Sequence, residues 1–347
     1  MYNILNIKSK ISDYKLGFVD SLSEIELIID QLNTITIVDA NVDKLYPSIK
    51  RDNNIVIECN EEAKTLTGAG HLLNELKDRK ANIKTKLVVI GGGIIQDLVG
   101  FCASIYCRGI EYVLVPTTLL AQTDSCVGGK TSINLDGRKN ILGTFYPPTD
   151  IIIYTGFLKT LSNLDYLSGL GEIYKFHILQ NKIQEFNFTN KSEEIIMDSL
   201  KYKINILLID EFDKGERKFL NFGHTFGHAL ESISNNVVPH GIAVVIGCMI
   251  AVTVSKQLGY NINDYELTIE YGYEIIKNSN LKFKKEWFNM NKLLEIIKSD
   301  KKSTGKLTMV LINNNPILAD VEDIIILENT LNQIYESIWL CNSIFKR

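Results

Sequence analysis

The segment Asn221-Phe222-Gly223-His224-Thr225-Phe226-Gly227-His228-Ala229-Leu230-Glu231, with His240 nine residues further on, holds three of the chain's five histidines. His224 and His228 are four residues apart, so a helix sets both rings on one face. Catalytic zinc takes three N, O or S ligands from the protein and keeps a fourth position open, and this constellation could supply them. Hydrogen-bonded core histidines would give the same spacing. His240 sits in Pro239-His240-Gly241 at the head of an apolar run.

A second group of residues suits anionic ligands. Ser168-Gly169-Leu170-Gly171-Glu172-Ile173-Tyr174-Lys175 puts Glu172 and Lys175 one helical turn apart. That spacing usually marks a surface ion pair, but the apolar flanks here argue against exposure. Lys203 and Arg217 add cations in the helical half, and Asp300-Lys301-Lys302 adds more late in the chain. Cations near histidines and a glutamate suit an anionic, polyhydroxylated ligand. Earlier, Gly91-Gly92-Gly93-Ile94-Ile95-Gln96-Asp97 follows a strand and opens a helix. Such a loop admits a phosphate at a helix N-terminus, or is simply a tight turn, since the spacing is not GxGxxG. Asp39, at an earlier strand end, either holds a ribose or caps the next helix. The segment Val115 to Thr131 is dense in hydroxyls, with Asp124, Gly128-Gly129 and Lys130, but lacks Walker spacing. Lys139-Asn140 follows a turn at Asp136-Gly137.

The elements that must position these residues fall into two halves. Short β-branched runs at Thr34–Val38, Asn54–Glu58, Lys86–Ile90 and Tyr112–Val115 alternate with helical patterns at Val42–Ile49, Leu66–Arg79 and Ile95–Tyr106. Alternation of this kind predicts a Rossmann-like parallel sheet wrapped by helices. Beyond about Ser162 the period becomes helical, interrupted by one hairpin around Asn313-Asn314-Asn315-Pro316. The expected organisation is an α/β domain over residues 1–160 and a mainly α-helical domain over 161–347. Its 347 residues, 45% of them apolar, suffice for two cores, and a net charge of −4 provides no field for nucleic acid. Six cysteines without CxxC spacing fit reduced thiols in a cytoplasmic protein. The first nine residues alternate like a strand, so no signal peptide is expected. The run Ile242–Val254 is too short to cross a bilayer and reads as a buried helix, so no membrane partner is expected.

Together these segments resemble the 3-dehydroquinate synthases and, more broadly, the sugar phosphate cyclases. The resemblance rests on Gly91-Gly92-Gly93 with Asp97, Arg108-Gly109, Pro116-Thr117-Thr118-Leu119-Leu120-Ala121-Gln122 with Asp124, Gly128-Gly129-Lys130-Thr131, Lys139-Asn140, Gly169-Leu170 with Glu172 and Lys175, and Asn221, His224, His228 and His240-Gly241. It runs in order from about Asp39 to Lys302. It implies zinc or cobalt held by Glu172, His224 and His240, with His228 a substrate and proton-relay residue. It also implies NAD, with Asp39 and Asn41 on the adenosine ribose, and Glu61, Lys64, Gly91, Gly92, Gly93, Asp97, Thr117, Thr118 and Lys139 about the cofactor. The implied substrate is 3-deoxy-arabino-heptulosonate 7-phosphate, lined by Asp124, Lys130, Asn140, Lys175, Lys203, Arg217, Asn221, His228 and one of Lys301 or Lys302. Arg108 would reach in from the other subunit of a homodimer. Alternatives are a cyclase acting on sedoheptulose 7-phosphate or a hexose phosphate, and a metal-dependent polyol dehydrogenase.

Four positions depart from the pattern implied by that resemblance. Gln96 stands in place of a glycine, which would put a side chain near the cofactor phosphates. Ile242 replaces a glutamate that would orient a metal ligand. Gly171 replaces alanine, and Arg138 replaces glycine.

Overall fold

The computed structural model of the chain describes residues 1–187, 193–300 and 307–343. The chain divides into two compact units. One comprises Met1–Leu161 and Lys191–Phe212, the other Ser162–Asn190 and Asp213–Arg347. The return of Lys191–Phe212 to the first unit is absent from the division expected at residue 160. A helical period shows that a face must be buried, not which neighbour buries it.

The first unit is built on nine strands: β1 (Tyr2–Ile7), β2 (Tyr14–Phe18), β3 (Thr34–Asp39), β4 (Ile55–Ile57), β5 (Lys86–Gly91), β6 (Tyr112–Pro116), β7 (Lys130–Leu135), β8 (Arg138–Phe145) and β9 (Asp150–Ile153). Seven form one sheet in the order β1-β2-β9-β6-β5-β3-β4, parallel throughout except at β1. Its inner strands are near-continuous Val, Ile and Leu runs, as a sheet covered on both faces requires. Val38, Ile90, Val113, Val115 and Ile152 pack there with Ile25, Ile29 and Phe157. The covering helices are α1 (Leu22–Ile29), α2 (Ala40–Leu45), α3 (Leu66–Asp78) and α4 (Gly93–Ile105). The helical pattern read over Val42–Ile49 splits, because Pro47 starts a separate 3-10 turn at Pro47–Ile49 and disfavours helical geometry at Tyr46. The chain passes from β3 out to β4 and then inserts β5 on the other side of β3, so the strand order reverses there. Open α/β sheets bind ligands in the crevice at such a reversal. β7 and β8 form a separate hairpin. Its turn residues Asp136 and Gly137 both have positive φ, 48° and 76°, which matches the right-handed strand twist.

The second unit contains α5 (Asn163–Leu179), whose N-cap Ser162 accepts the Asp165 N–H at 3.1 Å. The next helix, α6 (Glu193–Ile209), belongs to the returning segment of the first unit. Then come α7 (His224–Ile233), α8 (His240–Gln257), α9 (Tyr265–Asn278), α10 (Met290–Asp300), the hairpin β10 (Leu307–Asn313) and β11 (Asn315–Val321), and α11 (Ile324–Ser343). By length and composition α8 could span a bilayer, since it extends beyond the apolar run that marked it. It is 83% buried inside the fold, with α5, α7, α9, β10 and α11 packed around it. It is the core helix of this unit.

The approach of α5 to α8 positions the chemistry. A Cβ on Gly171 would lie 2.3 Å from the Gly241 carbonyl oxygen, and one on Gly241 only 1.7 Å from the Ser168 carbonyl oxygen. The two backbones therefore touch one residue from Glu172 and one residue from His240. The Ser168 hydroxyl also accepts the Gly241 N–H at 2.9 Å. Gly241→Ala should force the helices apart and cost about 1–3 kcal/mol or more, read as a lower urea midpoint. An unchanged midpoint would show that the contact is slack.

Candidate active site

Glu172 lies in the middle of α5 and is fully buried, with Lys175 buried one turn on. The Lys175 ammonium pairs with Glu172 Oε2. His224 and His240 come from the first residues of α7 and α8, and their Nε2 atoms stand 3.6 and 3.3 Å from Glu172 Oε1. Gly223, held at φ +77° with no room for a Cβ beside Cys248 Sγ, turns the chain into α7 and so aims His224 inward. Ligand atoms of Glu172, His224 and His240 all lie within 4.8 Å of one another.

The charge balance fits a divalent cation. Neither carboxylate oxygen of Glu172 has a hydrogen-bond partner of acceptable geometry, although both are buried. Burial alone would raise the Glu172 pKa, but Lys175, with His240 and His224, brings it well below the usual carboxylate range. Burial, and then the charge of Lys175, push His224 well below its ordinary value, which leaves its imidazole neutral and able to ligate. His240 is also drawn down by burial, but the carboxylates of Glu172 and Glu231 prevail and raise it to about 10. The Nδ1 atoms are anchored, that of His224 to the Phe222 carbonyl at 3.0 Å and that of His240 to Glu231 Oε2 at 2.9 Å. Both Nε2 atoms are thereby turned toward Glu172. One carboxylate and two oriented imidazoles form a donor set suited to zinc or cobalt.

His228 is exposed on the next turn of α7, its ring centroid 5.1 Å from that of His224 and 5.7 Å from that of His240. It also belongs to a second candidate donor group, with Glu231 and His240. Arg217 is buried in the 3-10 turn Glu216–Asn221, which ends at the exposed Asn221 just before α7.

In the first unit the structure gathers the residues expected around a cofactor. A Cβ on Gly91 would fall 3.1 Å from Asp39 Cβ, and one on Gly92 would fall 3.1 Å from Thr118 Cγ2. The ends of β3 and β5 and the Thr117-Thr118 segment therefore converge on the glycine loop at the strand-order reversal. Thr117 N–H donates to the Gly91 carbonyl at 3.1 Å. Asp39 caps α2, accepting the Asn41 N–H at 2.8 Å. Lys64 bridges Asp97 Oδ2 and Asn140 Oδ1, both at 2.6 Å. Lys139 reaches Glu61 Oε1 at 3.1 Å. Two residues with no role read from sequence complete this network. Ser132 Oγ lies 3.1 Å from Asp97 Oδ2 and 2.8 Å from Asn140 Oδ1, with one proton to donate between them, and Asn134 Nδ2 donates to Glu61 Oε2 at 2.7 Å. Both lie on β7, and the Asp136-Gly137 turn was their only sequence signal.

Three placements differ from expectation. Lys203, read as a cation of the helical half, is on α6 in the first unit and grips Asp124 through its carbonyl at 2.7 Å and Oδ1 at 2.9 Å. Asp124 lies in a π-helical turn, Ala121–Ser125. Gln96 does not project from the glycine loop. It is buried, donating to the Gly91 carbonyl at 3.3 Å and accepting from Ser125 Oγ at 3.1 Å. Ile242 leaves His240 with a carboxylate partner after all, because Glu231 provides one from α7. Lys130 is exposed at the start of β7. Arg108 is exposed in a turn where Cys107, Arg108 and Gly109 all have positive φ. Lys301 and Lys302 lie outside the described residues.

Comparison with known proteins bears on the whole arrangement. Residues 54–168 match the family model for the 3-dehydroquinate synthase N-terminal region, and residues 169–303 match that for the C-terminal region. The 3-dehydroquinate synthase of Alkaliphilus metalliredigens (strain QYMF) is 36% identical over 298 residues, covering 80% of this chain and 83% of that protein. Among solved structures, 2-epi-5-epi-valiolone synthase from Streptomyces hygroscopicus subsp. jinggangensis 5008, with NAD+ and Zn2+ bound, superposes with a TM-score of 0.81. It is 21% identical, covering 96% of this chain and 99% of that one. A 2-deoxy-scyllo-inosose synthase complexed with carbaglucose-6-phosphate, NAD+ and Co2+ gives 0.80 at 21% identity, covering 95% and 100%. At that identity the two structures establish the shared fold.

The Lys64 network makes a pH-dependent prediction. Burial raises the Asp97 pKa and Lys64 opposes the rise. A carboxylate whose folded pKa is raised costs the folded state increasingly as pH rises from its unfolded to its folded pKa, and costs nothing below the unfolded value. Lys64→Met should therefore cost about 1–3 kcal/mol near pH 8, and the deficit should shrink as the pH falls, because protonation removes the buried charge that Lys64 partners. Urea denaturation near pH 8 and at acid pH reads this directly; an equal loss at both would remove Asp97 from the account.

Proposed function

Because this chain belongs to the 3-dehydroquinate synthase family, we propose that it converts 3-deoxy-arabino-heptulosonate 7-phosphate into 3-dehydroquinate and inorganic phosphate, with NAD and a zinc or cobalt ion as resident cofactors. The observation that carries the reading is the buried Glu172 carboxylate, faced by two oriented imidazoles and lacking well-directed donors of its own. Glu172, His224 and His240 hold the metal. Glu61, Lys64, Asp97 and Lys139 form the polar cradle for the dinucleotide, with Gly91 to Gly93 admitting its pyrophosphate and Asp39 and Asn41 its ribose.

When bound, the nicotinamide accepts and returns a hydride at a substrate carbon while the metal polarises the oxygen on that carbon. The chain's own groups bind, orient and move protons. Lys175 keeps Glu172 anionic and supplies positive charge where the substrate's oxygens gather. His228, one turn beyond His224 and open to solvent, exchanges a proton with a substrate hydroxyl. Arg217 and Asn221 take the substrate carboxylate. A guanidinium matches a carboxylate through paired N–H donors, and this favours an acidic sugar phosphate over the carboxylate-free substrates of other cyclases. The conversion is redox-neutral overall, so NAD ends as it began. The same reading makes the protein a homodimer, with Arg108 presented to the neighbouring copy from its exposed turn of positive-φ residues.

With NAD, Zn2+ and the heptulosonate phosphate, the protein should release inorganic phosphate without accumulating NADH. Phosphate release from sedoheptulose 7-phosphate alone would reassign it to another cyclase activity. Steady NADH formation would make it a polyol dehydrogenase. His224→Ala should lose bound metal on dialysis, whereas His228→Ala should retain it and lose at least about 100-fold in turnover. Equal metal content in the two variants would overturn the ligand assignment.

A further inference from the structure

Glu231 has no part in the ligand set or the cofactor cradle, yet it is half-buried against one of the metal-binding imidazoles. It follows His224 and His228 on α7 by seven and three residues, so all three share one helix face. Its Oε2 lies 2.9 Å from His240 Nδ1, while His240 Nε2 looks the other way, 3.3 Å from Glu172 Oε1. The loop between α7 and α8 is built to bring the two together. Ser234 Oγ accepts the Val238 N–H at 3.2 Å, and Asn235 and Asn236 both adopt positive φ. The two metal-facing imidazoles are thus held differently, His224 by a neutral carbonyl and His240 by a carboxylate.

We infer that Glu231 is the positioning residue of the metal centre: by accepting the Nδ1–H of His240 it fixes the tautomer and ring plane that present Nε2 alongside His224 and Glu172. The inference rests on the metal reading given above. A carboxylate behind a ligating imidazole fixes its orientation and raises its basicity, and loss of such a partner typically weakens metal binding about 10–100-fold. Ile242, the buried residue two positions after His240, offers no polar atom for this task. Glu231 also falls within 4.8 Å of donor atoms on His228 and His240, so the test must separate an orienting role from direct ligation.

Zn2+ affinity, measured by competition with a chromophoric chelator, distinguishes the possibilities for Glu231→Ala, Glu231→Gln and His240→Ala. The expected result is an affinity loss of about 10–100-fold for Glu231→Ala. Glu231→Gln, whose amide oxygen still accepts from Nδ1–H, should lose clearly less. The visible spectrum of the Co2+-loaded protein should be preserved in Glu231→Gln. Unfolding of the metal-stripped proteins should show Glu231→Ala close to the parent. Parental affinity in Glu231→Ala would overturn the inference, as would an affinity loss matched by an equal loss of metal-free stability. A loss in Glu231→Gln as deep as that in His240→Ala, with an altered Co2+ spectrum, would make Glu231 a ligand and overturn it too. If His240→Ala itself binds Zn2+ like the parent, the metal reading fails instead, and the two failures stay distinguishable.

Discussion

The structure turns on a carboxylate held where no water can solvate it. Glu172 is fully enclosed in α5, and an isolated charge in that position would be prohibitive. Positive charge must therefore be assembled around it from several directions. Lys175 supplies it from the same helix and His240 from the start of another, while His224 turns a neutral imidazole toward the same carboxylate. The demand is local, but meeting it fixes the helix starts, the left-handed Gly223 and the loop that ends at Pro239. A packed apolar centre would be easier to fold. The polar one brings a carboxylate and two imidazoles to a common point, a donor set that suits a divalent cation.

The first unit solves a different problem with related means. There the sheet itself positions the chemistry, because its strand order reverses between β3 and β5 and leaves their carboxyl ends open. Backbone groups and short side chains do the shaping, and the charged residues lock onto one another through Lys64. Gln96 shows how a substitution can be absorbed. Its amide folds inward and ties the Gly91 carbonyl to Ser125, so the loop keeps its bare outer surface.

Much of this was legible in the chain before any coordinates. β-branched runs located the inner strands because a doubly covered sheet demands them, and the 3.6-residue period beyond about Ser162 marked the second unit as mainly helical. The buried Glu172–Lys175 pair followed from its apolar flanks. Pairings across long sequence distances were not legible. Nothing local marks β7 and β8 as a hairpin supplying Ser132 and Asn134, since their alternation is weak and only the turn stands out. Lys203 was assigned by sequence position to the helical half, whereas its partner Asp124 precedes it by 79 residues. Glu231 was visible within the histidine motif, but its role depended on how a loop of left-handed asparagines folds back.

The backbone contact between Gly171 and Gly241 bears on ion size. Because the helices touch one residue from Glu172 and one residue from His240, the separation of the backbones that carry these two side chains is set by the helix pair. Enlarging it for an ion of greater radius would mean re-spacing α5 and α8 and rebuilding the interior of the unit around them. If Glu172 and His240 both hold an ion, the span between them is tied to the interhelical distance, and it should drift only as slowly as the core does.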